Sequence, residues 1–216
     1  MHVRFISNKN AVTCHVNNYE KVELNIDFFH IVNDGVAEKG NILISEPFLG
    51  DNYFRRSVVY LTENNEEGSL GFVLNKPIGV SINEIVDDFP ESDFTISVGG
   101  PVSNNTVHYI HTLGARIPDS VLVADGIFWG GDFDLIKELI AEGSVRPHEL
   151  RFFLGYAGWS AHQLDGEMQD HAWLVGRIPP RMVMQAVDPE FWKKTMASYN
   201  NKYRAWANFP EDPGLN

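Results

Sequence analysis

One continuous stretch, residues 149–173, constrains the fold of this chain more than any other part of the sequence. It opens with a short apolar run, residues 150–154, whose length is that of a buried strand. Gly155 and Gly158 follow and bracket two residues, a pattern that predicts a loop in which the backbone turns sharply or approaches another group closely. We therefore expect the strand to end where this glycine loop begins.

A helix is predicted directly after the glycine loop. Ser160 is a candidate N-cap, because Gln163 stands three residues later at the spacing of a capping box. Helical spacing gives this segment an apolar and a polar face, formed by Ala161, Leu164, Met168 and Ala172 and by Gln163, Glu167 and Asp170. A strand, a glycine loop and a capped helix often present backbone N–H groups to a ligand, so this segment is the candidate site.

The charge balance argues against a protein that grips nucleic acid by neutralising phosphates. The 216 residues include 17 Lys and Arg against 29 Asp and Glu, a formal net charge of −12. Counterion release requires clustered Lys and Arg, and the dense basic spots are limited to Arg55-Arg56 and Lys193-Lys194. Direct DNA binding is therefore disfavoured.

Length and composition predict a cytoplasmic protein with one domain. A lone Cys14 excludes an internal disulfide framework and fits a reducing compartment. No apolar run approaches the length that spans a bilayer, so no membrane association is expected. We expect residues 1–25 to be a poorly ordered or extended N-terminus, residues 26–207 to be a single domain and residues 208–216 to be a loose tail.

Strand signals outnumber helix signals along the chain. Residues 57–61 are β-branched and aromatic, residues 64–68 signal a turn and residues 69–75 return, which together predict a hairpin. Further strands are predicted at residues 94–98, 107–111, 121–124 and 173–175.

Single helices interrupt these strands. Ser81 and Glu84 form a capping box that opens a predicted short helix over residues 82–89. Asp132 is the predicted N-cap of a second helix, and Gly143 its C-terminal stop. Hairpins broken by single helices predict an α+β fold with a mixed, largely antiparallel sheet.

No motif of nucleophilic or phosphate-binding chemistry is complete. The tetrad at residues 158–161 resembles a nucleophile elbow, G-x-S-x-G, but His162 stands where the last glycine belongs. The glycine loop also lacks the Gly-Lys-Ser/Thr ending of a P-loop and the spacing of a dinucleotide fingerprint. We predict no catalytic residue and no cofactor.

The histidines are not spaced for metal binding. His108 and His111 are three apart on a predicted strand, so their side chains point to opposite faces. His162 and His171 are nine apart on a predicted helix, again on roughly opposite faces. No metal site is predicted.

Four separated motifs resemble those of the bacterial YqgE/AlgH family and follow that family's order. They are I-S-E-P at residues 44–47 with F-R-R-S-V-V at 54–59, G-S-L-G-F-V-L-N-K-P at 68–77, G-G-P-V at 99–102, and G-Y-A-G-W at 155–159 followed by Gln163, Leu164, Glu167 and Trp173. The sequence departs from the family pattern at His162, where a glycine is common, and at Asp165, where glutamate is usual.

The resemblance implies a fold rather than a chemistry. It implies an α+β domain whose sheet curls into a pseudo-barrel with flanking helices. The family is largely uncharacterised, and one branch carries the label of a transcriptional regulator of alginate synthesis. The resemblance implies no family-wide catalytic activity or cofactor.

The favoured hypothesis is a non-enzymatic binding or regulatory module that recognises a small molecule or a protein partner. The candidate ligand-binding residues supply glycine loops, apolar walls and orienting polar groups: Arg56, Asn75, Gly99, Gly100, Pro101, Tyr156, Gly158, Trp159, Gln163 and Glu167. An alternative is an enzyme with an unrecognised site that uses Glu167 or a histidine as base. A third hypothesis is a regulator that binds DNA directly.

Overall fold

The longest strand among the described residues, Leu150–Ser160, pairs with three other strands and joins two halves of one sheet. The computed structural model of the chain describes residues 5–8, 11–14, 35–199 and 201–209. Its strands are β1 (Phe5–Asn8), β2 (Ala11–Cys14), β3 (Ile42–Ser45), β4 (Val58–Asn65), β5 (Gly68–Val73), β6 (Pro77–Ser81), β7 (Thr95–Val98), β8 (Val102–His111), β9 (Val121–Ala124), β10 (Ile127–Trp129), β11 (Leu150–Ser160) and β12 (Trp173–Gly176). Its helices are α1 (Phe133–Ala141), α2 (Gln163–Gln169), α3 (Pro180–Gln185), α4 (Phe191–Tyr199) and α5 (Asn201–Arg204).

Strands β1 and β2 form an antiparallel hairpin. The remaining residues of the predicted N-terminal extension, 1–4, 9–10 and 15–25, lie outside the described residues. The same is true of residues 210–216 in the predicted tail.

Within the described residues, strands β3 to β12 form one mixed, largely antiparallel sheet of ten strands. The order is β12-β3-β4-β5-β11-β8-β10-β9, while β7 lies parallel to β11 and also pairs with β6. The predicted hairpin over residues 57–75 is present as β4 and β5. The predicted α+β fold with a mixed, largely antiparallel sheet is therefore confirmed.

Strand β11 changes its neighbours along its length. Residues Phe152, Phe153 and Leu154 pair with β7 on one side and with β8 on the other. The residues from Ala157 to Ser160 pair with β5 instead. One strand thus holds both halves of the sheet together.

The predicted end of this strand at the glycine loop is wrong, because β11 continues through both glycines. Gly155 has a φ of +67° and lies at a register shift in the pairing with β8, so it forms a kink within the strand. A Cβ atom there would stand 2.7 Å from the Val102 carbonyl oxygen and 2.8 Å from that of Gly100. Gly158 pairs with Leu70 as an ordinary strand residue.

The sheet curls until its two ends approach each other. Arg177, just after β12, forms an ion pair of 3.3 Å with Asp125, in the turn between β9 and β10. A Cβ atom on Gly40, just before β3, would lie 2.4 Å from the Cβ atom of Ala124 at the end of β9. No ladder joins β9 to β12 in the described part of the chain, so the expected pseudo-barrel stays open.

Of the two helices predicted before β11, one is present with both predicted ends and the other is shorter than predicted. Helix α1 begins after Asp132, whose carboxylate accepts a hydrogen bond of 3.0 Å from Leu135 N–H, and Gly143 follows its end with a φ of +67°. Both predicted ends of this helix are confirmed. The predicted helix over residues 82–89 is shorter, a 3-10 turn at Ile82–Glu84, although the Glu84 carboxylate does accept the Ser81 N–H at 3.0 Å.

Two apolar clusters flank β11 and give each half of the sheet its own core. The first contains Phe152 of β11 with Ile136 and Ile140 of α1. The second contains Trp159 of β11 with Leu164 of α2 and Trp173 of β12. Burying an aromatic or branched side chain of this size stabilises a fold by roughly 1.5–3 kcal/mol each, so both clusters fix the position of β11.

The C-terminal helices attach to the sheet through backbone carbonyls. The Trp192 indole of α4 donates to the Ser45 carbonyl at 2.9 Å. The buried Arg151 guanidinium donates to the carbonyls of Val183, in α3, and of Leu74. Burial lowers the pKa of Arg151 to about 9, so the side chain still carries its charge at neutral pH.

Candidate functional site

The half-buried Glu167 carboxylate is the centre of a hydrogen-bond network at the edge of the second apolar cluster. Its Oε2 atom accepts the indole N–H of Trp159 at 2.8 Å and that of Trp173 at 2.7 Å. Its Oε1 atom accepts from the Gln163 amide at 3.0 Å. Both carboxylate oxygens therefore bind side chains that the fold itself places.

The two tryptophans belong to the core. Trp159 and Trp173 are 4% and 1% exposed, and their rings meet at an angle of 80° with centroids 5.9 Å apart. The Phe54 ring stacks on Trp159 at 5.8 Å and contacts Trp173 edge-on at 5.5 Å. Glu167 thus satisfies the polar edges of a packed aromatic cluster.

The predicted N-cap role of Ser160 is wrong. Helix α2 begins at Gln163, and its N-cap is His162, whose φ is +63°. Gln163 instead reaches back, because its amide oxygen accepts both the backbone N–H and the hydroxyl of Ser160 at 3.1 Å. The chain therefore turns at His162, after both glycines, and the His162 side chain makes no capping hydrogen bond.

Arg56 and Asn75 form a second, separate arrangement of predicted residues. The Asn75 side chain accepts from Val58 N–H and donates to the Arg56 carbonyl, both at 2.9 Å. Arg56 has a φ of +50°, donates to the Phe209 carbonyl and lies with its guanidinium carbon 5.1 Å from the centre of the Trp192 ring. These bonds fix the backbone before β4 and attach it to the C-terminal segment.

The predicted Gly99-Gly100-Pro101 segment packs against β11. Gly99 donates to the Leu154 carbonyl at 2.9 Å and accepts from Val73 N–H at 2.8 Å. A Cβ atom on Gly99 would lie 2.2 Å from the Gly155 carbonyl oxygen. The absence of a side chain here permits close packing of two backbone segments.

A groove of about 370 Å³ lies beside the tip of the β4–β5 hairpin. We call it the hairpin groove; it is lined by Glu63, Asn65, Glu67, Gly68, Ser69, Leu70, Val102, Tyr156, Gly158, Trp159 and Ser160. Three predicted site residues, Tyr156, Gly158 and Trp159, are part of its lining. The other predicted residues do not line it.

The Tyr156 ring, which packs against Gly158, forms the floor of the hairpin groove. A Cβ atom on Gly158 would stand 2.9 Å from Cε2 of Tyr156, so the glycine leaves room for the ring to lie along the strand. His108 contacts the same ring edge-on, with centroids 5.6 Å apart. Residues paired across strands share a face, so Leu70 and Glu63 lie on this face with Gly158.

The walls of the hairpin groove are acidic. Glu63 and Glu67 line it, and its lining includes no Lys, Arg or His. A second groove of about 320 Å³ meets it at Asn65, Gly68, Ser69 and Ser160, and contains Glu66, Asp165 and His162. Ion pairs among the described residues engage none of Glu63, Glu66 and Glu67.

Sequence reasoning missed the hairpin side of this groove. Residues 64–68 signal a turn, and an acidic turn of this kind is ordinarily a solvated surface. The pairing of β5 with β11 places this turn beside Tyr156, where its residues line the groove. A pairing between segments so distant in the chain leaves no local signal in a single sequence.

The histidines occupy separate environments. His111 is buried, with Nε2 3.1 Å from the Gly130 carbonyl and Nδ1 3.2 Å from Leu113 N–H. Burial lowers the pKa of both His111 and His108. His162 is largely exposed and lies 3.5 Å from Asp165. No group of three or more His, Cys, Asp or Glu side chains in the described part of the chain is arranged to hold a metal ion.

The fold and its groove define an α+β domain with an open, curled sheet and an acidic depression at one hairpin. The sequence profile of the family described as AlgH-like matches residues 42–204, and the chain belongs to this family. The resemblance of the four sequence motifs is thereby confirmed. No helix in the described residues has the length and apolar character needed to cross a bilayer.

Relatives with similar sequences share nearly the whole chain. A UPF0301 protein of Bacteroides fragilis is 38% identical over 197 residues, which cover 90% of this chain and 100% of that relative. A UPF0301 protein of Chlorobaculum parvum is 42% identical over 181 residues, covering 84% of this chain and 97% of the relative. Neither name states a biochemical activity.

Two solved structures have the same fold. The AlgH protein from Pseudomonas aeruginosa matches with a TM-score of 0.63 and 30% identity, over 74% of this chain and 87% of that one. A protein from Corynebacterium diphtheriae matches with a TM-score of 0.68 over 83% of this chain and 95% of its own. Its identity of 21% makes that second likeness evidence of fold alone.

Proposed function

We propose that this chain is a non-enzymatic binding module, acting as a cytoplasmic regulator, that recognises its ligand or protein partner in the hairpin groove. The observation that carries the proposal is the lining of this groove. An aromatic floor at Tyr156 and Gly158 lies beside carboxylates that no described residue neutralises. The groove has a volume of about 370 Å³ and is open to solvent.

The position of Glu167 favours binding over catalysis. A general base needs a lone pair directed at the substrate proton. The Glu167 oxygens accept hydrogen bonds from two indoles and one amide instead. The same carboxylate does not line the hairpin groove.

The charge distribution favours a regulator that acts through a partner rather than by direct DNA contact. The chain carries a net charge of −12, and the groove adds a local concentration of carboxylates. A phosphate backbone would be repelled from this surface. The hypothesis of direct DNA binding therefore has the least support.

A thermal-shift panel tests the proposal. It contains nucleotides, common metabolites, divalent metal ions and short duplex DNA, and is run on the wild type, Tyr156→Ala and Tyr53→Ala. A ligand at about a hundred times its Kd adds about 2.7 kcal/mol, which raises the Tm of a domain of this size by roughly 5–10 °C. Tyr53 is an exposed tyrosine outside the groove, so its variant is the matched control.

A hit is expected to stabilise the wild type and Tyr53→Ala but not Tyr156→Ala, each compared with its own ligand-free Tm. If the panel contains no ligand, co-purified proteins identified by mass spectrometry should be lost with Tyr156→Ala and kept with Tyr53→Ala. Multiple turnovers of a hit to a new product would overturn the non-enzymatic assignment. Binding that Tyr156→Ala leaves intact would place the site elsewhere.

A further inference from the structure

We infer, on the basis of the proposed function, that the hairpin groove binds an extended basic segment of a protein partner, with arginine or lysine side chains between Glu63, Glu67 and the Tyr156 ring. The charge of the groove, the position of the Tyr156 ring and the dimensions of the groove all suit such a segment.

The charge of the groove is uncompensated. Glu63 and Glu67 line it and belong to none of the ion pairs among the described residues. Glu66 stands in the adjoining groove around the same hairpin tip and adds to the negative potential, whereas Asp165 in that groove lies 3.5 Å from His162. Such a surface attracts cations and raises their rate of association.

The ring of Tyr156 supplies a second feature that suits a cation. It lies against Gly158 in the floor of the groove, and its hydroxyl forms no hydrogen bond with a described residue. A guanidinium over the face of an aromatic ring is attracted by its quadrupole. A nearby carboxylate binds the same guanidinium through its planar N–H donors.

The dimensions of the groove fit a short length of chain. Its lining reaches from Glu63 on β4, across β5 and β11, to Val102 on β8. Neighbouring strands lie about 4.8 Å apart, so these four strands span roughly 14 Å, the length of about four extended residues. Leu70 and Val102 give apolar contacts for the stems of basic side chains.

Peptide binding tests the inference directly. The probes are Ac-GRGRGRG-NH2, its neutral counterpart Ac-GQGQGQG-NH2 and spermidine, each titrated calorimetrically into the full chain. The arginine peptide is expected to bind, and the glutamine peptide to bind at least tenfold more weakly. Raising the salt from about 0.05 to 0.5 M should weaken the arginine complex, because exposed charge pairs are screened.

Matched variants distinguish peptide binding in the groove from nonspecific attraction to the acidic surface of the protein. Glu63→Gln and Glu67→Gln each remove one charge, and the amide that replaces the Glu63 carboxylate keeps an oxygen that can accept from Asn65. Each is expected to weaken the arginine peptide by up to about fivefold, and Tyr156→Ala by a similar factor. Glu138→Gln removes the same charge from the exposed face of α1 and should leave the affinity unchanged.

Three results would overturn the inference. They are failure of the arginine peptide to bind, equal loss of affinity in Glu138→Gln and the groove variants, and spermidine binding as tightly as the peptide. If the arginine peptide fails while another ligand or protein depends on Tyr156, the proposed function stands and only the basic partner is excluded. If nothing depends on Tyr156, both fail together.

Discussion

At the scale of single residues, Glu167 shows how a carboxylate can be committed to structure. Its position on α2 brings it within reach of two indoles from different strands, Trp159 of β11 and Trp173 of β12. Each indole N–H needs an acceptor in its buried surroundings, and the same carboxylate oxygen serves both. The residue that the sequence offers as a general base therefore joins a helix to two strands.

Replacing this carboxylate should destabilise the protein. In Glu167→Ala two indole N–H groups lose their acceptor, and a buried donor without a partner costs about 1–3 kcal/mol. The free energy of unfolding should fall by about 2–4 kcal/mol, measured by urea denaturation followed by tryptophan fluorescence. Glu138→Ala, on the exposed side of α1, is the control and should stay within about 0.5 kcal/mol of the wild type. Equal stability of the two variants would contradict the role given to Glu167.

At the scale of elements, the kink at Gly155 determines how β11 serves both halves of the sheet. The glycine adopts a φ of +67° beside the carbonyls of Val102 and Gly100. Before it the strand pairs with β7 and β8, and after it Tyr156 still pairs with Val102 of β8 while the residues from Ala157 onward pair with β5. A residue that reads as the end of a strand is thus the point at which the strand changes direction and neighbours.

A pair of alanine substitutions separates backbone strain from close packing. Gly155 and Gly143 share a φ of +67°, but a Cβ atom on Gly143 would meet nothing within 4 Å. Gly143→Ala should cost about 1 kcal/mol from the left-handed conformation alone. Gly155→Ala carries the same strain together with contacts below 3 Å to two backbone oxygens, and should cost about 3 kcal/mol or more. Equal losses of stability in the two variants, measured by thermal or urea denaturation, would show that the neighbouring backbone moves to make room for the Cβ atom of Gly155→Ala.

At the scale of the whole molecule, acidity and buried histidines act on stability in opposite directions as the pH falls. Protonation of surface carboxylates relieves the repulsion of a chain with a net charge of −12, but most of this occurs below about pH 5. The Gly130 carbonyl can only accept and the Leu113 N–H can only donate, so His111 is held neutral with its proton on Nε2. Above about pH 5 the buried histidines should therefore dominate the change in stability with pH.

The expected result is a loss of stability between about pH 7.5 and 5.5. Burial lowers the pKa of His111 in the folded state below its unfolded value of about 6.5, so the unfolded chain binds more protons in this window. Its contribution is complete above about pH 6.5 and is lost as the pH falls through the folded pKa. In urea denaturation at both pH values, His111→Gln should show a smaller loss than the wild type. His148→Gln, at an exposed position, is the control and should lose as much stability between the two pH values as the wild type.

The sequence predicts the parts of this fold that have local signals. The hairpin of β4 and β5, the strand β9 and both ends of α1 follow from residue types at fixed spacings. The continuation of β11 through Gly155, its parallel pairing with β7 and the use of Glu167 by two indoles depend on contacts between distant segments. The hairpin groove belongs to this second group, because Glu63 and Tyr156 meet only when β5 lies beside β11.

A strand shared by both halves of a sheet also affects the order in which the chain can fold during synthesis. Strands β4, β5, β7 and β8 leave the ribosome before β11, and β5 and β8 lie next to it in the finished sheet. Until residue 160 has been translated, each of these two neighbours presents an unpaired edge to the cell, and exposed edges invite association with other chains. The edge of β5 therefore has no β11 partner while residues 74–160 are being translated, and that of β8 has none while residues 112–160 are being translated.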